Sequence, residues 1–123
     1  MSLLLALAAQ AAAAPPPAEI AEEIVVIGDK LKTWRGTFGK RKGVFTCKTT
    51  KSSGDASIDA IRCEAMRRCA MQIDGEAQAI AAGPESALHR KRKLDALAQG
   101  LIPCIKQRED AAIDLLARAR AGT

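Results

Sequence analysis

Cys47, Cys63, Cys69 and Cys104 are the residues of this 123-residue chain best equipped for covalent chemistry, and His89 is its single imidazole. Four thiols can hold a zinc ion, exchange disulfides catalytically, or close as two structural bridges. Spacing separates these uses. No two cysteines stand at the Cys-x-x-Cys spacing of a thiol oxidoreductase or at the short intervals of a zinc knuckle, and His89 is the only nitrogen ligand. An even cysteine count in a short chain therefore favours two disulfides, with no metal and no cofactor.

Other catalytic arrangements are equally thin. His89 is followed by Arg90, Lys91 and Arg92, and the sequence marks no obvious carboxylate to orient it. Ser52, Ser53, Ser57 and Ser86 fit turns and helix caps. Asp55, Asp59 and Glu64 share one helix without marking an acid–base pair. Gly36, Gly39 and Gly43 lack the strand–loop–helix setting of a phosphate cradle. The expectation is a protein that is not an enzyme.

Charge offers more. Lysine and arginine number 19 against 14 acids, a formal balance of +5. The excess is clustered: Lys40, Arg41 and Lys42 with Lys48 and Lys51, then Arg67 and Arg68, then Arg90, Lys91, Arg92 and Lys93 behind His89. Such clusters bind polyanions. Aromatic residues make up only 2%, which leaves few stacking platforms for single strands and argues against nucleic acid.

The elements that must carry these residues begin with an address. Leu3 to Ala9 form a short apolar run, and Ala9-Gln10-Ala11 is a small-x-small cleavage site, so residues 1–11 read as a signal peptide, with cleavage as late as Ala14 also compatible. The run falls well short of the roughly 20 residues that span a bilayer, and no Lys or Arg precedes it. Export would place the protein outside the cytoplasm, periplasmic or secreted. The polyanions there are lipopolysaccharide phosphates, anionic lipid headgroups and wall polymers. Residues 12–22, with three consecutive prolines, read as a flexible tether.

Glu23-Ile24-Val25-Val26-Ile27-Gly28 is a β-branched run that reads as a strand or an extended binding segment, within an extended region covering 23–54. Gly39 to Gly43 makes a turn between two short strands. Residues 55–123 turn helical. Asp55 or Ser57 caps a helix with Ile58, Ile61, Ala65, Met66, Cys69 and Ile73 on one face, ending near Gly75. A short piece over 76–82 follows. Pro84 and Glu85 open the next helix, with Leu88, Leu94 and Leu97, and Pro103 opens the last, with Ile105, Ala112, Ile113 and Leu116. Glu109 falls within that last apolar arc and should sit at its rim or pair with a base. The expected fold is mainly α: a small disulfide-stapled bundle of three or four short helices, an extended N-terminal segment and a β-hairpin.

Helix geometry prunes the bridges. Cys63 and Cys69 would be rotated by about 240° and lie about 9 Å apart on one helix, beyond the roughly 7 Å that a disulfide tolerates. Two pairings remain: Cys47–Cys63 with Cys69–Cys104, or Cys47–Cys69 with Cys63–Cys104. An antiparallel return through 83–99 brings Cys104 toward the start of the first helix and favours the second.

Glu23 to Gly28 resembles the TonB box of outer-membrane TonB-dependent receptors, an extended segment behind a signal peptide and tether that adds to a sheet edge in the TonB periplasmic domain. The resemblance implies Ile24, Val25 and Val26 as the pairing core, Glu23 and Gly28 as flanks, and Ile27 where threonine is usual. The rest of the chain, through Lys32-Thr-Trp-Arg-Gly36, Lys51-Ser-Ser-Gly-Asp55, Ile58-Asp-Ala-Ile61 and the Cys63/Cys69 pair, is similar to small secreted proteins of sphingomonad-type alphaproteobacteria. The first expectation is thus a binder of TonB; the alternatives are a basic surface protein that binds anionic lipid or lipopolysaccharide, or a structural periplasmic protein with no specific ligand.

Overall fold

A computed structural model describes residues 17–122. The signal peptide expected at 1–11 and the first part of the tether, to residue 16, lie outside the described residues. The elements run α1 (Pro17–Thr33), β1 (Arg35–Arg41), β2 (Val44–Lys51), α2 (Ala56–Ala81), α3 (Ala87–Gln99) and α4 (Leu101–Ala121). The fold is mainly helical, with one antiparallel hairpin and two disulfides, as the sequence led us to expect.

The first departure is α1. Residues 17–33 are a helix, so the rest of the tether and the Glu23–Gly28 run are helical rather than extended. The β-branched residues favour a strand, but Ile20, Ile27 and Leu31 recur at seven and four, and all three are buried. Burial of about 1.5–3 kcal/mol per large aliphatic side chain outweighs propensity differences of a few tenths per residue. Pro17 sits where a helix tolerates proline, Glu19 lies in the first turn, and Lys30 and Lys32 lie in the last, matching the helix dipole.

Those three residues meet Ile58 and Ile61 of α2 and Ile113 and Ala117 of α4 in one core, with Ala112, Leu116 and Ala121 packed against it. Three further boundaries move. The first of the later helices does not end at Gly75 but runs on through 76–82 to Ala81, making α2 26 residues long, about 39 Å. The next begins at Ala87, capped by Ser86, rather than at Pro84 and Glu85, and the last begins at Leu101 rather than Pro103. Asp55 caps α2, its Oδ1 accepting from the amides of Ser57 at 2.9 Å and Ile58 at 3.3 Å. Ser86 caps α3 through the His89 amide. Arg120 donates to the other Asp55 oxygen and so ties the end of α4 to the start of α2.

The disulfides are Cys47–Cys63 and Cys69–Cys104, with Cα separations of 5.6 and 6.0 Å. This corrects the favoured pairing of Cys63 with Cys104 and Cys47 with Cys69. The helix end explains the error. α3 has 13 residues and retraces about 20 Å, so a return from residue 75 would bring the chain near Cys63. The actual return from Ala81 brings it to Cys69. No bridge joins Cys63 to Cys69, in keeping with the helix geometry.

Candidate functional site

The hairpin from Arg35 to Lys51 holds six basic residues and no acid. Its turn needs two consecutive residues at positive φ, supplied by Lys42 at 52° and Gly43 at 79°, the two-residue geometry that suits the right-handed twist of paired strands. Strand alternation sends Phe38, Phe45 and Cys47 toward the body of the protein, and Thr37, Thr46 and Lys48 outward. An isolated two-stranded hairpin is marginal in water. Here Cys47 is bonded to Cys63, the Phe38 and Phe45 rings stack with centroids 5.7 Å apart, and Lys40 reaches Asp74 of α2 at 2.6 Å.

At the base of the hairpin, Trp34 is buried and its indole N–H donates to Thr49 Oγ1 at 2.9 Å. Arg62 lies 5.4 Å over the same ring, and its Nε donates to the Glu109 carboxylate at 3.0 Å. Of the two alternatives for Glu109, a rim position or a basic partner, the second is found: it pairs with Arg62 and is buried. Burial pushes its carboxyl above the usual range, and Arg62 only partly offsets this.

The expected basic residues divide by what they already touch. Lys40 faces inward, with its ammonium 5.3 Å from the Phe45 ring centre and ion-paired to Asp74, so it braces the hairpin. Arg41, Lys42, Lys48 and Lys51 are exposed and make no ion pair among the described residues. The α3 cluster is largely engaged within the molecule. Lys91 pairs with Asp95, Lys93 with Glu85, and Arg90 donates to the carbonyls of Gly83 and Glu85. Lys93 is the main reason the Glu85 carboxyl is held below its usual range. Only Arg92 of that run has no partner among the described residues. No hydrogen bond, ion pair or shared cavity wall joins 40–42 to 90–93.

Of the run at 23–28, Ile27 is fully buried, while Ile24, Val25 and Val26 are exposed on the outer side of α1. All four cysteines are bridged. His89 lies 3.5 Å from Glu85 on an exposed turn of α3, so a carboxylate does stand beside it, four residues earlier in the chain, contrary to the expectation that none would. Among the described residues, no group of histidine, cysteine and acidic side chains is arranged to hold a metal, and no helix is long and apolar enough to cross a membrane.

One feature had no warning in the chain. Between α2 and α4 runs a trough of about 400 Å³ over Ala60, Ala65, Ala111 and Ala112, continuing past Arg68 and Arg108 to Arg67 and Met71. Arg67 and Arg68 stand out in the sequence as a basic pair. Arg108, forty residues on, joins them only because α4 packs along α2. The alanines look like ordinary helix formers until two helices set them side by side.

Comparison of the chain with protein families, with curated proteins and with solved structures returns no match.

Proposed function

We propose that the protein is an exported, non-enzymatic binder of the bacterial envelope, and that its basic hairpin meets an anionic surface of lipid or lipopolysaccharide. The observation that carries this reading is the hairpin's outer side. Arg41, Lys42 and Lys48 stand exposed with no acidic partner on a ribbon cross-linked to α2. Near an anionic membrane each lysine or arginine contributes about 1 kcal/mol. Val44, 63% exposed beside the turn, adds an apolar contact at the same tip. The two disulfides agree with an oxidising compartment such as the periplasm. Partition of the full chain onto vesicles tests the reading. Binding should need anionic lipid and should weaken steeply between low and physiological salt; equal binding to neutral vesicles overturns it.

A second reading rests on the TonB-box resemblance of Glu23 to Gly28. Docking by strand addition requires this segment to be extended, which withdraws the fully buried Ile27 from the core and breaks α1 between Ile20 and Leu31. Losing Ile27 alone costs about 1.5–3 kcal/mol, a sizeable share of the roughly 5–15 kcal/mol that holds a small domain together. TonB engagement therefore ranks second. Its test is a pull-down with the TonB periplasmic domain, and capture that survives Val25→Pro contradicts it.

A further inference from the structure

We infer that the trough between α2 and α4 is a separate site for one molecule of a single-chain phospholipid, its acyl chain on the alanine floor and its phosphate among Arg67, Arg68 and Arg108. The site goes beyond the hairpin reading and does not depend on it, since none of its residues lies on the hairpin.

The charge pattern specifies the head. Three guanidinium groups line one lobe with a single carboxylate, Glu64, so the lobe keeps an excess of two positive charges. Glu64 accepts from Arg68 Nε at 2.7 Å and from Arg67 at 3.0 Å, which fixes both side chains on the helix surface. Each guanidinium carries five N–H donors, and each bond to Glu64 uses one, so most donors remain available to a second anion. Arg108 approaches from α4, and no hydrogen bond or ion pair among the described residues occupies it. Forked donors of this kind match phosphate oxygens.

The other lobe specifies the tail. Ala60, Ala65, Ala111 and Ala112 leave a shallow apolar channel because none has a side chain beyond Cβ, and Leu115, 70% exposed, forms its outer wall. A volume of about 400 Å³ lies at the lower end for small-molecule sites and suits one chain rather than two. Arg68 and Arg108 line both lobes, so head and tail would meet there without a gap.

The test uses the full, oxidised chain and dodecyl phosphate below its micelle-forming concentration, followed by amide chemical shifts. Shifts should concentrate on 57–72 and 108–115. Inorganic phosphate, and dodecyl maltoside as a neutral head on the same tail, should each bind at least about tenfold more weakly. Arg68→Glu with Arg108→Glu should weaken dodecyl phosphate by about tenfold or more, and Ala111→Trp, which fills the channel from an exposed position, should do the same without altering the fold. Lys91→Glu with Arg92→Glu on α3, away from the groove and the hairpin, should leave it unchanged. Equal affinity for the neutral head, tight binding of inorganic phosphate alone, or indifference to both groove variants overturns the inference. So does a dimer whose dilution alone produces the same shifts, because the groove would then belong to a second copy of the chain.

Discussion

Gly36 has no room for a side chain. A Cβ placed there would lie 2.3 Å from a Trp34 ring carbon and 2.6 Å from the Lys48 carbonyl oxygen. The strand passes directly over the indole, and Arg62 also lies over that ring. Gly36→Ala should cost about 1–3 kcal/mol by forcing the ring or the strand aside, measured by denaturant unfolding. Asp55 works differently, as both a cap and an ion pair. The Arg120 guanidinium is the main cause that holds its carboxyl below the ordinary 3.8, with burial opposing and the Ile58 and Ser57 amides assisting. Its folded value lies below its unfolded value, so the stabilisation is present above 3.8 and is lost as pH falls through the lowered value. Asp55→Asn keeps a good cap but removes the charge. It should lower stability by about 1 kcal/mol at neutral pH and flatten the acid side of a melting-temperature profile. The capping role of Asp55 could be read from its place after Gly54. The Arg120 partner could not, because 65 residues separate the two.

Among the elements, α2 organises the rest: α1 and α4 share its core face, the hairpin is bonded to it at Cys63, and α3 returns along it to Cys69. The helical character of 55–121 was legible because its apolar residues recur at three and four. The end of α2 was not, since Gly75 resembles a stop, yet the helix runs on through it to Ala81. That six-residue difference reversed the favoured disulfide pairing, whereas the exclusion of Cys63–Cys69 needed only helix geometry and held. α1 was misread as extended because Ile24 to Ile27 dominate locally, while the helical spacing of Ile20, Ile27 and Leu31 matters only once α4 is present to receive it. The bridges themselves should differ in value. The Cys69–Cys104 loop spans 35 residues against 16 for Cys47–Cys63, so chain entropy assigns it roughly 0.7 kcal/mol more. Paired Cys→Ser variants, compared by thermal unfolding, should show the larger loss for Cys69 with Cys104.

At the scale of the molecule, the charges fall into different roles that composition cannot distinguish. The α3 run, the longest basic stretch in the sequence, is mostly occupied by Glu85, Asp95 and backbone carbonyls. The hairpin, a sparser cluster, keeps its outward bases without acidic partners. The sequence therefore located both patches but could not rank them, because pairing depends on which acids the fold brings near. The central claim is that the hairpin engages the envelope surface, and partition onto anionic vesicles of two charge-reversed variants tests it most directly. Arg41→Glu with Lys48→Glu should reduce partition by at least about tenfold, given about 1 kcal/mol per base near the surface. Lys91→Glu with Arg92→Glu should change it much less. Loss of partition in the α3 variant with none in the hairpin variant would contradict the account.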